Sequence, residues 1–109
     1  MNYQPEKFQI TIARGNIYLP LEVYEVYFRN MECVALMPHE GGVLLIPLIQ
    51  QSAGGMLLKV RNLRGDRVIH AQEFWRNHGY AEEFDEQVYV VSWISDRAAL
   101  LVQGMLPVQ

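Results

Sequence analysis

Apolar residues in this chain come in short runs, and glycine, proline or asparagine interrupts each run before it lengthens. The longest, residues 43–49, covers seven positions, against the roughly 20 that a membrane-spanning helix needs. Punctuation at this spacing favours short strands and tight turns over long helices. Phe8, Ile10 and Ile12 alternate with Gln9 and Thr11, the period of a half-buried strand. Arg14-Gly15-Asn16 supplies a tight turn, and Ile17-Tyr18-Leu19 reads as the returning strand. Pro20 suits the first turn of a helix. From residue 21 to residue 30, Val23, Val26 and Tyr27 fall on one side and Glu22, Glu25 and Arg29 on the other, which predicts a short amphipathic helix. Residues 32–37 and 43–47 are apolar runs around a turn at 38–42, a predicted hairpin.

A polar, glycine-rich segment at 50–55 reads as a linker, and the order of elements then repeats. Residues 56–61 are a predicted strand, 62–66 a turn, 67–70 a strand, and 72–78 a helix with Gly79 placed to end it. An acidic turn at 82–86 leads into strand 88–94, a turn at 95–97, and a last strand at 98–103. Ile17-Tyr18-Leu19 lies over Val68-Ile69-His70, with Glu22 on Glu73, and residues 43–46 lie over 99–102. The sequence therefore predicts one domain of two similar halves, 8–48 and 57–103. Each half is too small to bury its own apolar faces, so the two need each other.

With 109 residues, half of them hydrophobic, the chain is one domain's worth of sequence and too apolar for a disordered tail. One cysteine, Cys33, excludes an internal disulfide and fits a reducing compartment. No apolar stretch of signal-peptide length follows a basic start, so a cytoplasmic protein without membrane partners is expected.

The element order, with Gly15-Asn16-Ile17-Tyr18-Leu19-Pro20 before the first helix, resembles the AbrB-like swapped-hairpin family. Arg64-Gly65-Asp66-Arg67-Val68-Ile69 with Glu73-Phe74 looks like the same passage in the second half, with Ala71 where the family has proline. Two copies in one chain is similar to the MraZ-type transcriptional regulators. The resemblance covers most of the chain. It implies a mostly β protein with two short helices, a duplicated swapped-hairpin barrel whose halves interdigitate about a pseudo-twofold. It also implies DNA binding by the basic residues of the hairpin turns. Carried onto this sequence, those are Arg14 with Asn16 in the first half, and Lys59, Arg61, Arg64 and Arg67 in the second.

Charge bears on that expectation from both sides. The chain carries a net −3, the wrong sign for binding nucleic acid by bulk charge. Residues 59–67 run against this, with four basic residues and one acidic. Such a stretch is either a phosphate-contacting patch or a solvated, charge-protected strand edge. Glu22, Glu25 and Glu73 would repel a phosphate backbone wherever they shared its surface.

Chemistry of other kinds finds little footing. His70 and His78 bracket the second helix with Glu73 between them, a spacing that does not converge on a metal, and His39 sits in a turn. Cys33, between Glu32 and Val34, reads as a small buried hydrophobe and not as a nucleophile. Nucleotide loops, serine-hydrolase elbows and zinc-spaced cysteines are absent from the sequence. The acidic run 82–86 does not match an EF-hand. No cofactor, metal or catalytic residue is expected. Tyr18, Tyr24, Tyr27, Phe28, Phe74, Trp75 and Tyr80 gather around the two helices, while Tyr89 and Trp93 share a strand face. Packing or a subunit interface suits them better than base stacking, because no basic residues interleave with them. A non-enzymatic DNA-binding regulator is the first expectation. A small interaction or assembly module that oligomerises through its apolar surface is the alternative.

Overall fold

Strands and tight turns dominate the computed structural model, which describes residues 8–50, 55–80 and 85–105. Residues 51–54 of the expected linker and 82–84 of the acidic turn lie outside the described residues. β1 (Gln9–Ala13) and β2 (Asn16–Leu19) form a hairpin around Arg14-Gly15, with φ of 51° and 84°. Two left-handed residues match the twist of a two-residue hairpin. Glycine adopts that conformation freely, whereas at Arg14 it costs about 1 kcal/mol or slightly more.

α1 (Leu21–Val23) runs directly into a π-helical turn, Tyr24–Phe28. This shifts the predicted buried stripe. Val23, Tyr24 and Phe28 are buried, Tyr27 is half-buried, and Val26 is exposed. Bonding from i to i+5 widens the turn, so the core-facing positions leave the 3.6-residue rhythm.

β3 (Cys33–His39) and β4 (Gly42–Leu48) pair through a turn of only Glu40 and Gly41. The predicted turn at 38–42 is thus shorter, and Pro38 lies inside the strand opposite Val43. Proline is tolerated there because the other neighbour of β3, β5 (Met56–Leu57), reaches only Cys33 and Val34. The expected strand 56–61 is divided at Leu58, whose N–H donates to the Glu32 carbonyl at 2.9 Å. Beyond that bend, β6 (Lys59–Val60) pairs with β7 (Arg67–His70). α2 (Gln72–Asn77), β8 (Gln87–Ile94) and β9 (Ala99–Gln103) follow. Gly79, at φ 78°, ends α2 as predicted. The Tyr80 N–H returns to the Trp75 carbonyl at 2.8 Å, and their rings pack 5.4 Å apart.

The strands form one antiparallel sheet in the order β5-β3-β4-β9-β8-β1-β2-β7-β6. Its two end strands are consecutive in the chain and separated only by Leu58, so the sheet curls almost to closure. β8 makes the opposite corner, pairing with β1 through residues 87–90 and with β9 through residues 91–94. The protein is mostly β, with two short helices on a nearly closed barrel.

One pairing scheme serves both halves of the chain. The β1–β2 hairpin is matched by β6–β7, and β3–β4 by β8–β9. Between halves, β2 pairs with β7 and β4 with β9, and β1–β8 is matched by β3–β5. Facing is the stricter test of correspondence, because a one-residue slip turns every side chain over. Ile17 stands opposite Ile69, and both are fully buried. A correspondence that keeps faces therefore sets Ile17 on Ile69, one residue from the overlay on Val68 that element order and apolar register in the sequence suggest.

Ile10, Ile12, Ile17, Leu19, Val43, Leu45, Ile69, Val91, Leu100 and Val102 fill the barrel, with Phe28, Phe74 and Trp75 from the helical turns. Full burial of side chains of this size stabilises by about 1.5–3 kcal/mol each. No polar or charged side chain is buried among the described residues. Cys33 is buried at the start of β3. No helix among the described residues is long and apolar enough to cross a membrane.

Each first-hairpin turn holds the helix of the other half. The Gly15 carbonyl accepts from the Ala71 N–H at 3.1 Å and from Trp75 Nε1 at 3.0 Å, while Gln72 Nε2 donates to the Arg14 carbonyl. Reciprocally, Asp66 Oδ1 accepts the Leu21 N–H at 2.8 Å. These contacts bring the two turns, with their arginines, to one side of the barrel.

Candidate functional site

Between the turns lies a cleft of about 250 Å³ lined by Arg14, Tyr18, Arg61, Arg64, Asp66 and Glu86, with Thr11 and Pro20 among its walls. Three of the six residues nominated by the sequence meet here. Arg14 comes from the β1–β2 turn, Arg61 directly follows β6, and Arg64 comes from the turn at 62–66.

They are not equivalent. Arg61 lies over the Tyr18 ring, 4.4 Å from its centroid, an arrangement that holds the guanidinium by cation–π attraction while leaving its N–H groups accessible. Arg14 is exposed at the hairpin tip. Neither enters an ion pair among the described residues. Arg64 is engaged: Nη2 donates to Glu22 Oε2, and Nε donates to Asp66 Oδ1 at 3.1 Å. The Arg64 hydrogen bond holds the Glu22 carboxyl below its ordinary range. Asp66 is held low chiefly by the Asn62 side-chain amide, then by the Leu21 N–H and Arg64, against a burial effect that raises it. Arg64 is raised in turn by both carboxylates.

The turn at 62–66 is built to keep Asp66 in place. Asn62 Oδ1 accepts the N–H groups of Gly65 and Asp66 at 3.1 and 3.2 Å, and Asn62 Nδ2 donates to Asp66 Oδ2 at 3.0 Å. This Asx-type turn explains the residue types that the sequence showed only as turn formers.

The remaining three nominated residues lie outside the cleft. Asn16 acts behind it: Nδ2 donates to the Tyr18 hydroxyl at 3.2 Å, and Oδ1 accepts from Gln72 Nε2 at 2.9 Å beside His70 Nδ1 at 2.8 Å. Tyr18 thereby keeps its own O–H proton for an outside acceptor. Lys59 is exposed on the same outer face, because Lys59 pairs with Val68 and Val68 with Tyr18. Arg67 faces elsewhere. It stacks on Tyr24 at 3.8 Å and donates to the Gly65 carbonyl, lining a second groove.

Sequence reasoning missed Tyr18 and Glu86 as cleft residues and the pairing of Glu22 with Arg64. Glu22 was legible as a repelling charge, but its partner lies forty-two positions away and no local pattern joins them. His78 packs on Phe74 at 4.5 Å, and no group of three or more metal-type ligands converges among the described residues. The cleft lining holds no histidine or cysteine. It presents guanidinium and hydroxyl donors beside the carboxylates of Asp66 and Glu86. Comparison with family models, curated proteins and solved structures returned no match.

Proposed function

We propose that the chain is a non-enzymatic, AbrB-like regulator, internally duplicated in the MraZ manner, that binds DNA through its two basic turns in the cytoplasm. The observation that carries this reading is the convergence of Arg14, from the first hairpin turn, and Arg61, beside the corresponding turn of the second half, on one cleft, with no carboxylate paired to either among the described residues. Two guanidiniums without an ion pair among the described residues, with Lys59 on the same face, can neutralise two or three phosphates, and Tyr18 adds a hydroxyl donor. Affinity then falls with salt, with a logarithmic slope of about −2 to −3. Arg64 contributes only if it leaves Glu22.

Electrophoretic retardation of a mixed-sequence duplex at low salt is the test. The Arg14→Ala/Arg61→Ala double variant should lose retardation, and Glu22→Gln, which removes one of the two carboxylates that hold Arg64, should strengthen it a few-fold. Absence of retardation by the unmodified protein rejects the function; retardation that survives the double variant rejects the site.

A second reading, an assembly or protein-interaction module, draws on Val88 and Val90. They share one face of β8 and are 56% and 54% exposed. It expects a concentration-dependent dimer that Val88→Lys dissociates, with no affinity for the duplex.

A further inference from the structure

The barrel is closed on one side by β1, which pairs with both β2 and β8, and is incomplete on the other, where the chain bends at Leu58. β5 pairs only with β3, and β6 only with β7, among the described residues. Beside this seam runs a groove of about 350 Å³ lined by Tyr24, Met31, Leu57, Leu58, Val60 and Arg67, together with Glu32 and Lys59. Its rim is apolar and open: Leu57 is 45% exposed and Val60 65%, and Leu63 in the next turn is fully exposed. The row of outward apolar side chains beside a strand paired on one side is the form that accepts an added extended segment.

Arg67 tells what kind of segment. Its guanidinium is part-buried, stacked on Tyr24 and bonded to the Gly65 carbonyl, yet it forms no ion pair among the described residues. Glu32, in the same lining, forms no ion pair with it. A guanidinium withdrawn from water in this way gains most from an incoming carboxylate, which it can hold through its remaining donors. A second copy fits poorly. A twofold contact through this edge would set Lys59, Arg61 and Arg67 against their own images.

We infer that the seam groove docks an extended peptide segment of a partner protein that carries apolar residues next to Asp or Glu. The apolar side chains lie against Leu57, Val60 and Met31, and the carboxylate meets Arg67. The surface is separate from the cleft of Arg14 and Arg61, so the inference does not depend on DNA binding.

The test is selection of a displayed library of random twelve-residue peptides on the intact chain. The expected result is enrichment of peptides with Asp or Glu within two positions of a large apolar residue. Synthetic copies of those peptides should bind Val60→Glu and Arg67→Met at least tenfold more weakly, and Arg14→Ala/Arg61→Ala unchanged. Val60 is exposed, so its variant keeps the fold even if Arg67→Met disturbs Tyr24. No enrichment, enrichment without acidic residues, or equal binding by Val60→Glu overturns the proposal. So does displacement of bound peptide by duplex DNA, or a dimer of the unmodified chain that Val60→Glu dissociates.

Discussion

Asp66 Oδ1 accepts the backbone N–H of Leu21 at 2.8 Å, across forty-five positions of sequence. A turn in the second half thereby satisfies the first free N–H of a helix in the first half, where Pro20 at the N-cap supplies no side-chain acceptor. The same carboxylate holds Asn62 and Arg64, and Arg64 reaches Glu22 in that helix. One side chain thus ties the turn to the helix and keeps Arg64 from the open cleft.

Replacing Asp66 by Ala should lower stability by about 1–2 kcal/mol, the range for losing an N-terminal helix acceptor. Asp66→Asn retains a side-chain oxygen for Leu21 and should lose less than half as much. Urea unfolding followed by tryptophan fluorescence measures both. Equal losses would show that charge rather than the acceptor matters here.

Acid should weaken the same junction. Glu22 and Asp66 are both held below their ordinary values of 4.5 and 3.8. A carboxyl with a depressed folded pKa binds protons less readily in the native state than in the unfolded chain. Its contribution is full above the unfolded value and disappears as pH falls through the folded one. The urea midpoint should therefore fall from pH 5 toward pH 2. In Glu22→Gln/Asp66→Asn the fall should be shallower. A parallel decline in both proteins would place the acid sensitivity elsewhere.

The barrel was more legible in the sequence than the cleft, for a physical reason. Strand periodicity is local: Ile10 and Ile12, alternating with Gln9 and Thr11, declare their buried face within a few residues. Turn glycines such as Gly15 and Gly79 are equally local. The π turn was not visible, because Tyr24 and Phe28 become core residues only when the helix widens against the barrel. The bend at Leu58 was likewise hidden, since it answers to two partners, β3 and β7, far away in sequence. The basic residues could be read as a set of charges. Their division into free (Arg14, Arg61), paired (Arg64) and groove-facing (Arg67) depends on Glu22, Tyr18 and Tyr24, which the fold brings from the other half.

Ile17 and Ile69 form the buried pair at which the two halves meet. Each single change to Ala should cost about 2–5 kcal/mol. Because both truncations open the same region, the double variant should lose less than the sum, by at least about 0.5 kcal/mol. Denaturant unfolding of the four proteins closes the cycle. Strict additivity would mean that the halves do not share this part of the core.

Gly41, in the β3–β4 turn, and Gly42, the first residue of β4, sit next to each other and should lose stability to very different extents on change to alanine. Gly41 has φ 74°, and a Cβ there meets nothing within 4 Å. The substitution costs only the left-handed conformation, about 1–2 kcal/mol. Gly42 lies at the start of β4, where a Cβ would stand 2.0 Å from the Val102 carbonyl oxygen. That oxygen belongs to the β9 backbone and cannot swing aside as a side chain would. Relief requires moving β9 away from β4, which breaks the β4–β9 ladder joining the two halves. Gly42→Ala should cost about 3 kcal/mol or more and lower the thermal midpoint well below that of Gly41→Ala. Similar midpoints for the two variants would show that β9 yields at this end without loss of the pairing between halves.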